Sequence, residues 1–447
     1  MKIPKLPFLF VLFGSVLASL SATVTPLAQE YIAVGESPDP QHIPLYTPSI
    51  LRLASGRLVA AYEQGGEQRL KGEPWAFILT SDDHGKTWQQ RGRAKVTHGR
   101  LFVAGNAVYY LGHSAVLVGR RPEDRSGDLR ILRSNDAGTT WGEAADLTHG
   151  QKWHQSAANV WHARGNVYLV MERRVSDAIA GWFVGELAPV LMRAKETADL
   201  TQAGSWTFAS ELDFAQLIPG YRSNQLGVDF FGVPFFPSAF PAGVAVGGDR
   251  MSAPLGWLET NVVQIKDPNH YWHDPNGHTF HLFMRAHTGG TGYAAMAKVV
   301  EQPDGSMRTE LESVPSGKKI LWVPMPGGHM RFHITYDPQT KFYWLLSSQP
   351  TDSMTRAERL PAERYGLPNN ERHRLVLHFS QNMVDWCFAG VVAMGATPNE
   401  SRHYASMDID GDDLVILSRS GDTRAKSAHD GNLITFHRVK NFRELVY

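Results

Sequence analysis

Ser81-Asp82-Asp83-His84-Gly85-Lys86-Thr87-Trp88 sets a pattern that returns as Ser134-Asn135-Asp136-Ala137-Gly138-Thr139-Thr140-Trp141. Each copy has the chemistry of a tight turn between two strands. The aspartate at its third position, Asp83 or Asp136, can fold its carboxylate back onto backbone N–H groups. Gly85 and Gly138 supply the positive φ that such a turn often needs. The closing Trp packs under a neighbouring strand and pins the turn to its sheet. Two matched copies about fifty residues apart define an internal period of the size expected for a solenoid or a propeller.

The S-x-D-x-G-x-T-W pattern resembles the Asp-box of the sialidase-like β-propellers. That resemblance implies an all-β, six-bladed propeller over residues 30–447, with seven blades as the alternative. In that family the box lies far from the active site, so it speaks for the fold and not for the chemistry. Weaker echoes are Ser380-Gln381-Asn382 ahead of Trp386, and Asp199 and Gly204 ahead of Trp206.

Strand-like alternation with turn punctuation extends outward from the two boxes. Hairpins are expected over 50–63, 101–111, 154–172, 261–285, 331–347 and 402–419, each turning at Gly, Asp-Pro or Asp-Gly signals. Six such hairpins supply the inner strands of six blades. The runs 75–80, 129–133 and 375–380 are expected as outer strands, and 432–438 as the strand that closes the ring. The long gap between the third and fourth hairpins fits an insertion or a seventh blade. It carries an aromatic, Pro-rich stretch over 230–237, read as a loop that shapes a cleft or packs on a blade flank.

The first residues read as an export leader. Lys2 and Lys5 precede an apolar run over 8–20, followed by Ala18, Ser19, Ser21 and Ala22 as cleavage positions. A signal peptide over 1–22 is therefore expected, with a secreted or periplasmic mature chain and no membrane attachment after cleavage; an uncleaved anchor is the alternative. The formal net charge is zero, which gives no reason to expect nucleic acid as a partner. Cys387 is the only cysteine, so no internal disulfide forms and stability rests on the core.

In a propeller, the loops that lead into the inner strands converge on one end of the central channel. The residues there are His42, Tyr46, Arg100, His154, Glu259, Asn261, His329, Arg331, His333, Arg402, His403 and Tyr404. Arg331 and Arg402 are expected to grip a carboxylate in a bidentate fashion, with Arg100, His329 and His333 also binding substrate. His154 is the candidate general base. Tyr404 is the candidate acid or nucleophile, Glu259 the carboxylate nearest the channel, and His42 a further catalytic candidate. Each also has a plain structural reading, as an ion pair, a cross-channel hydrogen bond or a core residue. His270, His273, His278 and His281 straddle the turn at 274–277, and strand alternation sends them to opposite faces. No metal ligation is expected of them, and no cofactor.

Sialidase-like propellers place an Arg triad, a Tyr nucleophile with a Glu partner, and an acid Asp around the channel. Their first Arg sits in a Phe/Tyr-Arg-Ile-Pro stretch; here the corresponding stretch is Tyr46-Thr47-Pro48-Ser49, with Thr47 in that position. The site is similar to the family's in Arg331, Arg402, Tyr404 and Glu259. The expected activity is hydrolysis of a glycosidic bond at an acidic sugar, exo-acting as the resemblance implies, by a monomeric enzyme. The first alternative is β-elimination on a uronic-acid glycan, by fold-level analogy with ulvan lyases and rhamnosyl-glucuronate-cleaving propellers. The second is a non-catalytic propeller that binds glycan or protein through its mouth.

Overall fold

The two boxed turns close as their residue types dictate. Ser81 Oγ donates to Asp83 Oδ1 (2.8 Å) and accepts from Gly85 N (2.8 Å), while Thr87 N and Oγ1 donate to the Asp83 carboxylate at 2.9 and 2.6 Å. The second turn repeats this set with Ser134, Asp136, Gly138 and Thr140 at 2.6–2.9 Å. These hydrogen bonds, those from Thr87 and Thr140 foremost, hold both carboxyls down to about 2. Trp88 Nε1 returns to Gly85 O and Trp141 Nε1 to Gly138 O, at 3.0 and 3.1 Å.

The computed structural model describes residues 24–66, 75–114, 116–117, 125–155, 157–179, 182–217, 245–247, 250–251, 255–288, 292–353, 355–356, 359–360 and 371–447. The leader over 1–22 and the aromatic stretch over 230–237 lie outside the described residues.

Six antiparallel sheets of four or five strands form the six blades of a β-propeller. Blade 1 runs Leu45–Arg52, Leu58–Gln64, Ala76–Ser81 and Gln89–Ala94. Blade 2 runs Thr97–Ala104, Ala107–His113, Leu129–Ser134 and Ala145–Asp146. In blade 3 the inner strand is split into Trp153–His154 and Trp161–Ala163, followed by Asn166–Arg174, Leu187–Lys195 and Trp206–Phe208. Blade 4 runs Gly256–Val263, Thr279–His287, Tyr293–Glu301 and Met307–Glu310, with Trp322–Pro324 also pairing to its third strand. Blade 5 runs His333–Asp337, Phe342–Ser348, Arg374–Ser380 and Cys387–Met394.

Blade 6 closes the ring. Its first three strands, Arg402–Asp410, Asp413–Ser420 and Leu433–Val439, come from the C-terminal part, and its outermost, Ile32–Glu36, from the N-terminal part. The six expected inner hairpins are all present. The runs expected as outer strands are the third strands of blades 1, 2 and 5, each with one further strand outside it. The outermost strands carry little alternation, as in Gln89–Ala94, whose QQRGRA is half exposed and buries only Ala94, so the sequence signal fades at the rim. The gap before blade 4 holds the last two strands of blade 3 and, among the described residues, a short ribbon of Ala245–Gly247 with Arg250–Met251.

The core lies between blades. Val59 and Ala61 of blade 1 meet Leu101 and Tyr110 of blade 2, and Ile50 and Leu58 meet Leu417 and Phe436 of blade 6. A polar seam runs inside it. Leu101 N donates to Ser49 Oγ (3.0 Å), Val262 N to Asn159 Oδ1 (2.8 Å) and Ile334 N to Asn261 Oδ1 (2.9 Å). Met407 N donates to His333 Nδ1 (2.9 Å) and Ile50 N to Ser406 Oγ (3.2 Å). Each bond satisfies an inner-strand N–H that no ladder partner reaches.

Gly85 (φ +87°) lies at the seam between blades 1 and 6, where an added Cβ would sit 2.4 Å from the Phe436 ring; Gly56 (φ +88°) has open space around it. Both Ala variants carry the left-handed backbone penalty, about 1 kcal/mol, but only Gly85→Ala also displaces a packed ring, for a total of about 3 kcal/mol. Denaturant titration of the two variants should show that ordering; equal losses would contradict the seating of this turn on blade 6.

Candidate active site in the channel

The residue two places before each of the five seam residues, and before Arg100 at the matching place in blade 2, defines a ring at one end of the channel. Its members are Thr47, His98, Ala157, Glu259, Arg331 and Tyr404. Thr47, His98, Glu259 and Tyr404 have positive φ (49°, 53°, 59° and 51°), and so does Gln155 (61°). At Thr47, His98, Glu259 and Tyr404 the pairing with the second strand shifts register. These are β-bulges, which re-aim a side chain at a local cost that the surrounding fold sustains.

A second ring comes from the ends of the second strands. Glu63, His113, Glu172, Arg285 and Arg419 occupy matching places, each closing an apolar run. The two rings interlock. Thr47 Oγ1 donates to Glu63 Oε1 at 2.6 Å, and the same oxygen accepts His98 N at 3.2 Å. Glu172 Oε1 accepts Thr260 N and Oγ1 at 3.0 and 2.7 Å.

Blades 4 to 6 form a cationic pole. Arg285 Nη1 donates to Tyr404 Oη at 2.5 Å and to Glu259 Oε2 at 3.2 Å, while its Nε donates to His329 O at 2.8 Å. The guanidiniums of Arg372 and Arg419 lie 5.7 and 5.2 Å from the Tyr404 ring centre. Arg331 is 2% exposed. Its Nη2 donates to Ala157 O at 3.2 Å, and its Nε and Nη1 are buried without a hydrogen-bond partner among the described residues. Burial lowers its pKa, opposed by the charges of Glu259, Tyr404, Glu172 and Glu63.

Blades 2 and 3 form an imidazole pole. His98 Nδ1 lies 2.9 Å from His113 Nε2, and His113 Nδ1 lies 3.0 Å from Ser114 O. The His154 ring centre is 5.1 Å from that of His98 and 5.8 Å from that of His113. Phe183 and Trp182 pack on His154 at 4.8 and 5.7 Å.

Burial sets the protonation of the site. It pushes Glu172 up to about 8 against the hydrogen bonds from Thr260, and the neighbouring Glu259 adds to the rise. Burial followed by nearby guanidiniums pushes His287, His329, His333 and His403 down, His329 to about 3. Arg100 is lowered to about 9 by burial and then by Arg331.

Of the residues singled out from the sequence, Glu259, Arg331, Tyr404 and His329 come together in the cationic pole, and His154 lies in the imidazole pole. Arg100 donates to Ser406 Oγ (2.7 Å) and His333 accepts Met407 N (2.9 Å), so both stand in the seam beneath the ring. Arg402 does not join Arg331. Two places before the Tyr404 bulge, it donates to Ser401 O and Gly421 O, both at 2.7 Å, and stacks on Tyr31. His42 is exposed and paired with Asp39 at 2.9 Å. His270, His273, His278 and His281 find four separate partners: Asn382 O, Ile265 O, Glu301 and Glu312. The sequence reading missed His98, His113, Glu172, Arg285, Arg372 and Arg419. All but His98 and Arg372 share one signal, a polar residue at or near the end of an apolar second strand.

The architecture is that of the sialidase-like β-propellers, in a divergent form. Penicillium chrysogenum alpha-L-arabinanase complexed with arabinobiose matches with a TM-score of 0.50 and 13% identity over 94% of this chain and 100% of the arabinanase. Trypanosoma rangeli sialidase in complex with sialic acid matches with a TM-score of 0.51 and 14% identity over 94% of this chain and 60% of the sialidase. These structural neighbours are glycoside hydrolases, and at such identities the likeness carries the fold alone. No protein-family model and no curated protein matches the sequence.

The Glu172 shift has a stability consequence. Its folded pKa lies above the ordinary 4.5, so the folded chain holds a proton that the unfolded chain releases between pH about 4.5 and about 8. Stability contributed by this group therefore falls as pH rises through that window. Glu172→Gln should flatten the decline in unfolding temperature across it; an unchanged slope would show that Glu172 is ionised when folded.

Proposed function

We propose that the chain is a glycan-cleaving enzyme, a glycoside hydrolase acting at an anionic sugar bound in the channel mouth. The observation that carries this reading is Arg331, a buried guanidinium whose Nε and Nη1 have no hydrogen-bond partner among the described residues. A buried cation of this kind is costly unless an anion meets it, and the planar fork suits a carboxylate. Arg285, Arg372 and Arg419 stand around the same tyrosine and extend the attraction.

The chemistry follows from the groups beside it. Tyr404 Oη and Glu259 Oε2 share one Arg285 nitrogen, which holds a hydroxyl and a carboxylate side by side. Tyr404 attacks the anomeric carbon while Glu259 takes its proton. The glycosidic C–O bond breaks, and Glu172, which keeps its proton at neutral pH, supplies one to the leaving oxygen. Water then cleaves the tyrosyl–sugar bond, giving its proton to the Glu172 carboxylate while Glu259 returns one to the departing Tyr404 oxygen. Trp182, between His154 and His287, offers an aromatic face for a sugar ring. The N-terminal Lys2, Lys5 and the apolar run behind them support export to a compartment where such glycans occur.

The test is incubation of purified protein with sialylated and uronate-rich glycans, following new reducing ends and the ultraviolet absorbance of unsaturated uronate. Reducing ends without absorbance are expected. Tyr404→Phe and Arg331→Ala should each lose at least about a hundredfold in kcat/KM, whereas Arg402→Ala, which turns away from the site, should keep most of it. Rising absorbance would replace hydrolysis with β-elimination. No turnover on the panel, with binding retained, would overturn the catalytic reading in favour of a glycan-binding propeller.

A further inference from the structure

We propose that His98, His113 and His154 form a divalent-metal site on the wall of the channel, with zinc as its best-matched ion. One ring nitrogen from each lies within 4.8 Å of the other two. Three imidazoles that each reach an ion at about 2.0–2.1 Å hold their nitrogens little more than 3 Å apart. Small rotations of these rings therefore close the site around an ion. The donor set is all nitrogen, without thiolate or carboxylate, which favours zinc, copper, nickel or cobalt over magnesium or calcium.

The surroundings support ligation. His113 Nδ1 sits 3.0 Å from the Ser114 carbonyl, an acceptor that places the proton on Nδ1 and leaves the Nε2 lone pair facing His98. Metal-binding histidines are oriented in this way by an acceptor behind the ring. His98 is turned inward by its bulge (φ 53°), and Gly99 permits it, since a Cβ there would lie 2.0 Å from the Tyr110 ring. His154 is fixed from behind by Phe183 and Trp182. The Gln155 carboxamide lies 3.2 Å from His154 Nε2, beside the three rings. Three neutral ligands leave at least one position open to water or a substrate oxygen, as in catalytic zinc sites rather than structural ones. The site does not rest on the proposed hydrolysis, because it needs only the three side chains.

The test uses the full mature chain, freed of any affinity tag and stripped with a chelator, then dialysed against zinc or cobalt. Elemental analysis should find about one ion per chain, and cobalt should give the visible bands of a low-coordinate nitrogen site. Zinc should also raise the unfolding temperature, because it binds only the folded form. His113→Ala and His98→Asn should each weaken binding at least about tenfold. His278→Ala, beside Glu301, should bind as the parent does. His98 is only half-buried, so its Asn variant, checked by circular dichroism, keeps the test readable if His113→Ala does not fold. Uptake by the parent no greater than by His98→Asn, or lost equally in His278→Ala, would overturn the site and leave a hydrogen-bonded pair of histidines.

Discussion

A propeller blade ends at the channel in an inner strand whose free edge has no ladder partner, and the architecture depends on satisfying that edge. Here a side chain from five of the six blades reaches the backbone of the next, and Arg100 of blade 2 donates instead to Ser406 Oγ. Ser49, Asn159, Asn261, His333 and Ser406 each accept an inner-strand N–H across a seam. Asn159 and Asn261 also donate to carbonyls of the following blades, at 2.9–3.0 Å. An unpaired buried N–H costs about as much as a lost hydrogen bond, so the seam fixes the rotation of every blade about the channel. Apolar packing between blades is permissive by comparison, because it tolerates small slides that these bonds do not.

The functional rings follow from that registration. Because each seam residue is fixed, the residue two places earlier is fixed as well, and the bulge between them turns it to the channel. Thr47, His98, Glu259 and Tyr404 hold left-handed backbone angles that non-glycine residues seldom adopt. Strain repeated at matching places in separate blades is held there by the bonds on either side. The Glu63 and Glu172 carboxylates brace it, each accepting the backbone N–H of a bulge in the next blade, at His98 and Thr260.

Much of this was legible in the sequence, and the illegible part has a physical cause. The repeated boxes and the six hairpins rest on local turn chemistry and period-two alternation, which a linear sequence displays. Glu259, Arg331 and Tyr404 could be found because they stand near the starts of the expected hairpins, although Glu259 and Tyr404 sit within their inner strands, at bulges. The orientation of Arg402 could not, since the Tyr404 bulge that separates the two faces is visible only once Ser406 is seen holding Ile50 N. Arg285 and Arg419 read as the polar ends of apolar strands. Only the closed ring brings residues of the fourth and sixth blades onto one tyrosine.

The distribution of charge within the ring bears on the anionic ligand proposed above and on how it would lie. Thr47 stands where the resemblance would place a first arginine, and it donates to Glu63 instead, so blade 1 adds no cation. The guanidiniums gather in blades 4 to 6, at Arg285 and Arg419 on second strands, Arg331 just ahead of blade 5 and Arg372 just ahead of the third strand of blade 5. Burial and those same cations keep His287, His329, His333 and His403 neutral, which prevents the pole from repelling itself further. Glu259 alone shares a hydrogen-bonded ion pair with Arg285, leaving Arg331 to be met from outside. Under the proposed function, an anionic group would be drawn to blades 4 to 6, and the rest of the ligand would extend toward the imidazoles of blades 2 and 3. In that reading the two poles would impose a direction on the ligand, and a directed ligand would present one of its bonds to Tyr404 and Glu259.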